Sequence, residues 1–440
     1  MKRGTLGFWM CTALVVGNMI GSGVFLLPAS LAPYGGISII GWVITAAGAM
    51  LLALVFARLS RLVPKAGGPY AYTRYGFGDF AAFLVAWGYW ISIWSGNAAI
   101  SIAFTGYLGV FLPSITRSAL LSAGTALAAI WFLTWINSRG VRNAGIVQLI
   151  TTVLKLMPLA AVGILGLFYV SIDNFLPFNL SGSSGFSAIT ATATLTLWAF
   201  LGLESATIPS GEVKNPSRTI PRATIVGTLL TAIVYILGTV AVMGVIPPAV
   251  LARSTAPFAD AASLMWGGWA GYAVAAGAAI SCFGALNGWI LLQGQLPLAA
   301  ESDGLFPRLF GRLGRNGTPV AGLIVSSLLI TILVGMNFTR SLVDLYTFVI
   351  LLATLTTLIP YVFSAATELL IYVRERERFD GRRLWGAAGI SLLALSYSIW
   401  AIIGIGREAL LWGTVLLLCG VPVYLMIGRS RSSKESGEID

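Results

Sequence analysis

Long apolar runs separated by short polar segments form the main hydrophobic pattern of this chain. A helix needs about 20 apolar residues to cross the hydrocarbon core of a bilayer, and twelve runs reach or approach that length. The pattern therefore predicts an all-α membrane protein with twelve transmembrane helices. Their approximate bounds are 7–31, 36–60, 80–112, 117–136, 146–169, 187–209, 223–247, 265–298, 319–336, 343–371, 385–403 and 408–427.

The first apolar run contains a break signal at its centre, in the stretch ALVVGNMIGSGVFLLP at residues 13–28. Gly21 and Gly23 flank Ser22, and a glycine inside a helix costs about 1 kcal/mol relative to alanine. Backbone groups freed at membrane depth cost several kcal/mol each unless they line a cavity or contact a ligand. We therefore predict a break at 20–23 that serves a binding site. The open alternative is that the glycines only allow close helix packing.

A weak internal repeat predicts a second break. GSGVFLLP at 21–28 and GLESATIP at 202–209 share a glycine followed seven residues later by a proline, in the first and sixth predicted spans. Similarly, PYA at 69–71 and PFA at 257–259 precede the third and eighth spans. Because five is an odd number, a five-plus-five repeat is inverted. Transporters with inverted repeats bind substrate at the midplane between broken helices, and the second break is expected at 199–203.

The two predicted breaks have complementary chemistry. The half-helix that begins near Ser22 and Gly23 offers free N–H groups at a positive helix end, which suits a carboxylate. The freed carbonyl groups that suit an ammonium lie near Met19, Ile20, Trp198 and Leu201. Together the breaks predict a receptor for the zwitterionic head of an amino acid.

Composition and charge fix the class of protein and its orientation. The chain is 57% hydrophobic and 10% charged, which excludes an ordinary soluble domain. With both termini placed in the cytoplasm, 22 of the 27 lysines and arginines fall on the cytoplasmic side and four fall outside. This is the positive-inside rule, so the net charge of +11 indicates no nucleic-acid partner. We predict a multi-pass protein of the bacterial inner membrane with cytoplasmic termini.

Few side chains are available for proton or metal chemistry. The chain has no histidine and only three scattered cysteines, so we expect no metal site, disulfide framework or cofactor. Glu204 and Lys155 are charged residues inside predicted spans, where a charge costs at least about 2.5–3.5 kcal/mol. Both are candidates to carry a coupled proton. The open alternatives are a structural hydrogen bond for Glu204 and a lysine that reaches the membrane interface for Lys155.

Six segments of the chain are informative when taken together. They are GNMIGSGVFLLPASLAPYGG, PKAGGPYAYTRYGFG, LWAFLGLESA, VKNPSRTIPRAT, SCFGALNGW and ESDGLFPRLF. In this order they resemble the amino acid–polyamine–organocation superfamily, most closely its basic amino acid/polyamine antiporter branch, over about residues 7–427. The resemblance implies a LeuT-like 5+5 inverted repeat with broken helices 1 and 6. It also implies a homodimer.

The same resemblance divides the chain. Residues 1–440 would form a single transmembrane domain, with repeats at about 7–169 and 187–371 and accessory helices at about 385–427.

The resemblance also implies roles for individual residues. Ser22 and Gly23 would bind the substrate carboxylate, and the α-amino group would contact the carbonyls of Met19, Trp198 and Leu201. The residues expected near the substrate side chain are Ser92, Ile93, Asn97, Trp289 and Ala353. The residues expected to gate the site are Tyr89, Trp198, Glu204 and Tyr361. Two alternatives stay open, an interhelical hydrogen bond for Asn97 and simple packing for Trp289.

Four positions depart from the arginine/agmatine exchangers of that branch. Ile93, Ile100 and Ala353 make the distal pocket drier than in those exchangers. Lys155 lies where they have no charge. Other branches of the superfamily carry a lysine on this helix, where its ammonium replaces the sodium ion of Na⁺-coupled relatives.

The sequence therefore predicts a transporter and not an enzyme, with an amino acid or amine as its small-molecule partner and the lipid bilayer as its surroundings. The leading hypothesis is antiport, in which an arginine-like cationic amino acid is exchanged for its amine product or another amino acid by alternating access. Ile93 and Lys155 favour a second hypothesis, proton-coupled or facilitative transport of neutral amino acids. A membrane receptor that senses amino acids is the remaining alternative.

Overall fold

Helices make up almost all of the computed structural model, which describes residues 7–63, 67–139, 144–207, 213–314, 317–337 and 339–435. In chain order the first α-helices are α1 Phe8–Met19, α2 Gly23–Leu31, α3 Ile37–Leu62, α4 Pro69–Leu108, α5 Pro113–Arg117, α6 Ala119–Ser138, α7 Ala144–Leu165 and α8 Gly185–Leu197. The others are α9 Pro216–Val245, α10 Pro248–Leu251, α11 Pro257–Trp266, α12 Gly268–Ser302, α13 Val320–Asn337, α14 Leu342–Arg374, α15 Gly381–Ile403, α16 Arg407–Leu418 and α17 Gly420–Glu435.

The lengths of these helices match a polytopic membrane protein. Within the described residues, ten helical segments are long and apolar enough to cross a membrane. Two shorter apolar helices, Leu154–Tyr169 and Val320–Met336, lie where the sequence predicts the fifth and ninth spans. A helix satisfies its own backbone hydrogen bonds, which is what an apolar surrounding requires. The prediction of an all-α, multi-pass membrane protein is confirmed.

The first apolar run is broken at residues 20–22, within the stretch where the sequence predicts a break. The last turn of α1 closes with a bond of 2.9 Å from the Ile20 N–H to the Val16 carbonyl. The Gly21 N–H then turns back to the Met19 carbonyl, also at 2.9 Å, and α2 begins at Gly23. The helix axis is therefore interrupted by three residues in the middle of the span.

A second break follows α8, as predicted at 199–203. A short 3₁₀ segment, Trp198–Phe200, leads to an extended Leu201 and then to Gly202, whose φ is +102°. An L side chain rarely adopts this conformation, so glycine is needed here. A Cβ atom on Gly202 would also lie 3.2 Å from the Cβ of Asn18. The chain continues through a second 3₁₀ segment, Ser205–Thr207.

The two breaks contact each other directly. A Cβ atom on Gly23 would lie 3.1 Å from both the Cα and the Cβ of Ala199. The side-chain amide of Asn18 donates a hydrogen bond of 2.9 Å to the Ser205 hydroxyl. The interrupted segments of the two apolar runs therefore meet at one place in the fold.

The second pair of matching sequence segments also adopts one shape. Pro69 begins α4, and a kink follows at Gly78, with φ +82°, before the long part of the helix. Pro257 begins α11, which ends at Gly267, with φ +90°, and α12 follows at once. In both cases about ten helical residues precede a glycine bend and a long apolar helix.

A buried ion pair joins three helices away from the breaks. Arg58 of α3 donates from Nε to Oε1 of Glu368 at 2.5 Å and from Nη2 to Oε2 at 3.0 Å. Tyr372 of α14 and Ser391 of α15 also donate to this carboxylate, at 2.8 and 2.6 Å. The Glu368 side chain is fully buried, whereas 22% of the Arg58 side chain is exposed. The pair therefore fastens α3 to α14 and α15.

We expect Arg58→Met to lower the free energy of unfolding by about 3–5 kcal/mol, because it leaves a buried carboxylate without its cation. Thermal unfolding of the purified protein in detergent measures the effect. The control is Arg340→Met, which breaks the exposed Arg340–Glu408 pair, where the expected change is about 0–1 kcal/mol. Equal melting temperatures of the two variants would contradict the assignment.

Candidate functional site

A small cavity of about 30 Å³ lies against both helix breaks. Its wall comes from the first break, α4, the second break, α12 and α14. Nine lining residues are among those predicted, namely Met19, Ser22, Gly23, Tyr89, Ser92, Ile93, Trp198, Leu201 and Trp289. Five more complete the lining, namely Asn18, Gly21, Gly96, Ile100 and Thr357. The structure thus brings most of the predicted substrate-binding residues around one space.

Two predicted substrate-binding residues lie outside this lining. Asn97 is fully buried, and its amide donates to Gln293 at 2.7 Å. Ala353 is also fully buried, and one turn further along α14 it is Thr357 that reaches the cavity. The Thr357 hydroxyl is hydrogen-bonded to that of Ser92. The distal wall is therefore less apolar than the sequence suggests.

The N-terminal end of α2 forms one end of the cavity. Ser22 and Gly23 lie there, and a helix leaves the N–H groups of its first turn without partners inside the helix. The hydroxyl groups of Ser22 and Tyr346 lie near each other but form no hydrogen bond of standard geometry with a described residue. This end therefore offers several donors for an anionic group.

Packing also constrains Gly23. A Cβ atom at this position would fit only if Ala199 shifted by a few tenths of an ångström. Close packing and access to bare backbone therefore both favour glycine at this position.

The carbonyl groups proposed to bind an ammonium differ in their availability. The Met19 carbonyl already accepts bonds from the Gly21 N–H at 2.9 Å and the Tyr235 hydroxyl at 2.5 Å. A carbonyl oxygen has two lone pairs, so Met19 is the weakest of the three candidates in this conformation. The Trp198 carbonyl accepts one bond, from Leu201 at 3.2 Å.

Tyr235 of α9 joins the two breaks, a contact that the sequence reasoning missed. Its hydroxyl contacts the Met19 carbonyl at 2.5 Å and the Ala199 carbonyl at 3.0 Å, one from each break. A single hydroxyl proton is thus shared between two freed carbonyl groups. The rings of Trp42 and Phe200 pack against Tyr235 and hold it in place. A lone tyrosine in the middle of an otherwise apolar span was the available signal.

Lys155 of α7 reaches the first break. Its ammonium donates to the carbonyls of Gly17 at 2.6 Å and Ile20 at 2.7 Å, and only 1% of the residue is exposed. These carbonyls belong to the last turn of α1 and to Ile20, which follows it, and the end of a helix leaves acceptors unsatisfied. The structure therefore does not place Lys155 at the membrane interface, and the snorkelling alternative is wrong.

Three of the four predicted gate residues form a buried cluster beside the cavity. Tyr89 of α4 donates to Oε1 of Glu204 at 2.7 Å, and Tyr361 of α14 donates to Oε2 at 2.9 Å. Glu204 is fully buried and belongs to the second break. The cluster ties that break to α4 and α14, so any separation of these elements must break the two hydrogen bonds.

The Trp198 side chain extends from the second break across the cavity to α4. A Cβ atom on Gly96 would lie 2.8 Å from the Cη2 atom of the Trp198 ring. Gly96 therefore makes room for the indole on the surface of α4. Trp289 of α12 contributes a second indole to the lining. Two indole rings, apolar side chains and uncharged polar groups thus surround the space.

In the residues that the structure describes, no cluster of three or more Cys, Asp and Glu side chains is placed to bind a metal ion.

The chain is similar to known transporters along nearly its whole length. The family model described as amino acid permease matches residues 6–427. The cadaverine/lysine antiporter of Escherichia coli (strain K12) is 35% identical, with 99% of this chain and 97% of that protein covered. The putrescine transporter PotE of the same organism is 33% identical, with 97% of each covered. A putative arginine/ornithine antiporter of Bacillus subtilis (strain 168) is 35% identical over 90% of this chain and 91% of that protein.

We expect Tyr235→Phe to lower the free energy of unfolding by about 1–3 kcal/mol, because it leaves a buried carbonyl without a donor. Thermal unfolding in detergent without substrate measures the change. Tyr346→Phe is the matched control, since its hydroxyl forms no standard hydrogen bond with a described residue. If the two variants unfold at the same temperature, Tyr235 does not hold the breaks together.

Proposed function

The chain belongs to the amino acid permease family, and on this premise we propose that it exchanges a cationic amino acid for its amine product or another amino acid. Relatives that are 33–35% identical over at least 90% of the chain exchange or transport lysine, cadaverine, putrescine, arginine and ornithine according to their names. The observation that carries the proposal is the cavity at the two helix breaks. A helix N-terminus and two indole rings line this one cavity.

The proposed architecture follows from the breaks and the helix lengths. We infer that the ten long spans and the two shorter apolar helices form twelve transmembrane helices. The breaks in the first and sixth spans, and the bent helices that begin at Pro69 and Pro257, support a LeuT-like 5+5 inverted repeat. Two accessory helices follow within the same domain. The positive-inside rule supports cytoplasmic termini in a bacterial inner membrane, and a homodimer is part of the proposal.

The head of the substrate would bind between the breaks. Its carboxylate would accept hydrogen bonds from the N–H groups of Ser22 and Gly23 at the positive end of α2. Its α-amino group would donate to the carbonyls of Trp198 and Leu201. The bound head group supplies partners that the broken backbone lacks, which favours the closed arrangement around it.

The distal part of the substrate would lie against Trp289, with Trp198 as a cover. A guanidinium or an alkylammonium over an indole face gains about 0.5–2 kcal/mol by cation–π attraction. The uncharged lining supports this interaction because no fixed cation in it competes for the rings. Ile93 and Ile100 in the same wall support the second candidate, transport of neutral amino acids.

Movement would require the gate cluster to open. The Glu204 carboxylate and the hydroxyls of Tyr89 and Tyr361 connect the second break to α4 and α14. Separation of these elements would open the cavity to one side of the membrane. No covalent bond forms or breaks in this cycle, so we propose transport and no enzymatic activity.

Lys155 would hold the first break and carry a proton. Its ammonium binds the carbonyls of Gly17 and Ile20, so loss of the proton would weaken this hold on the end of α1. Cys282 of α12 is a titratable group that faces Lys155. The proposed coupling is therefore between protonation of Lys155 and the position of the first break.

Counterflow in proteoliposomes tests the exchange directly. We expect labelled lysine, arginine or ornithine to enter vesicles preloaded with a cationic amino acid or diamine much faster than empty vesicles, because exchange requires the empty carrier to reorient slowly. Equal initial rates into empty and preloaded vesicles would remove antiport. Exchange restricted to neutral amino acids would favour the second candidate.

Lys155→Ala tests the proposed coupling. We expect the variant to lose or flatten the dependence of transport on pH across the mildly acidic to mildly basic range, since the group that exchanges the proton is gone. Initial rates of counterflow at a series of pH values measure this. The matched variant is Glu204→Gln, which removes the other buried charge at the breaks. If Lys155→Ala keeps the full profile and Glu204→Gln loses it, the proton belongs to the gate carboxylate.

A further inference from the structure

A buried pair of amide side chains lies behind the cavity wall. Nδ2 of Asn97 on α4 donates to Oε1 of Gln293 on α12 at 2.7 Å, and both residues are fully buried. Asn97 follows Gly96 and lies one helical turn from Ile93 and Ile100. These three neighbours line the cavity. The pair is thus next to the space in which the distal part of a substrate would lie.

The neighbours of Gln293 fix the orientation of its amide. Nε2 of Gln293 lies 3.3 Å from the Leu323 carbonyl and 3.0 Å from the Ser327 hydroxyl on α13. A backbone carbonyl can only accept a hydrogen bond, so the Gln293 atom that faces it must be the nitrogen. Ser327 is itself hydrogen-bonded to Thr134 at 2.7 Å. The Gln293 oxygen therefore has to face Asn97.

This orientation determines which atom of Asn97 is left over. An oxygen on Gln293 requires the amide nitrogen of Asn97 opposite it. The Asn97 Oδ1 atom then has no hydrogen-bond partner among the residues that the structure describes. A buried acceptor without a donor is unfavourable, and a donor group on a molecule in the neighbouring cavity would relieve this cost.

We propose that Gln293 is a positioning residue that holds the Asn97 amide with its oxygen available to an N–H donor of the substrate. The inference rests on the proposed exchange of a cationic amino acid and names the group recognised at its distal end. An ammonium or guanidinium carries only donors and matches a fixed acceptor. An alkyl end supplies no donor, and a carbonyl end presents a second acceptor.

Selectivity between a cationic substrate and its neutral isostere follows from the fixed orientation. When Gln293 is replaced by an apolar residue, the Asn97 amide is free to rotate and presents either its oxygen or its nitrogen. A neutral end that carries both donor and acceptor atoms then binds as well as before or better. The cationic substrate loses a preorganised acceptor and gains nothing.

The test compares wild type with Gln293→Leu by counterflow in proteoliposomes. Two pairs of unlabelled compounds are used, arginine with citrulline and lysine with 6-hydroxynorleucine. Each compound competes against the same labelled cationic substrate, and the comparison within a pair gives the cationic-to-neutral selectivity. We expect the cationic-to-neutral selectivity to fall by about tenfold or more in Gln293→Leu through KM, with kcat changed little. Gln293→Met is the second variant and must behave alike, and it replaces Gln293→Leu if the latter does not fold.

Asn137→Leu is the structural control, because it breaks another amide pair, which is partly buried, from Asn137 to Asn287 of α12. We expect it to leave the selectivity unchanged whatever it does to stability. Ser327→Ala must also preserve the selectivity, since the Leu323 carbonyl still fixes the Gln293 amide.

Two results would overturn the inference. One is a Gln293 variant that transports cationic and neutral substrates in the wild-type ratio while the wild type exchanges cations, in which case the proposed function stands. The other is a wild-type protein that exchanges no cationic amino acid, in which case both fall.

Discussion

A helix that breaks inside an apolar surrounding must satisfy the backbone groups that it frees, and the rest of this structure depends on that requirement. The first break releases the carbonyls at the end of α1, and Lys155 occupies two of them. Tyr235 spans a carbonyl from each break. The acceptors are thus largely satisfied by the protein, whereas the N-terminal donors of α2 face a cavity. This asymmetry favours a ligand that brings an anionic group to the donors.

Contacts of two different kinds surround that site. Gly23 against Ala199, Gly202 against Asn18 and Gly96 against Trp198 set the shape by close approach. The Glu204 cluster and the Lys155 ammonium set it by polar bonds that a change of proton or of partner can break. Alternating access needs both kinds, because rigid contacts define the binding site and breakable bonds allow its surroundings to move.

The sequence was sufficient for features that local chemistry dictates and insufficient for those that depend on distant partners. Glycine, serine and proline spacing located both breaks, and a carboxylate inside a span marked Glu204. The bond from Asn97 to Gln293 joins residues 196 positions apart, which no local pattern encodes. Tyr235 was missed because an aromatic residue in an apolar span reads as core. The lining role expected of Ala353 falls to Thr357, one helical turn away, because small differences in helix rotation decide which residue faces a cavity.

A structure of the protein with a bound cationic amino acid, determined by cryo-electron microscopy in a lipid nanodisc, tests the central claim most directly. The account predicts the substrate carboxylate within hydrogen-bond distance of the N–H groups of Ser22 and Gly23, and the distal cation against the Trp289 ring. A carboxylate bound to the Lys155 ammonium, with the N-terminal end of α2 unoccupied, would contradict it.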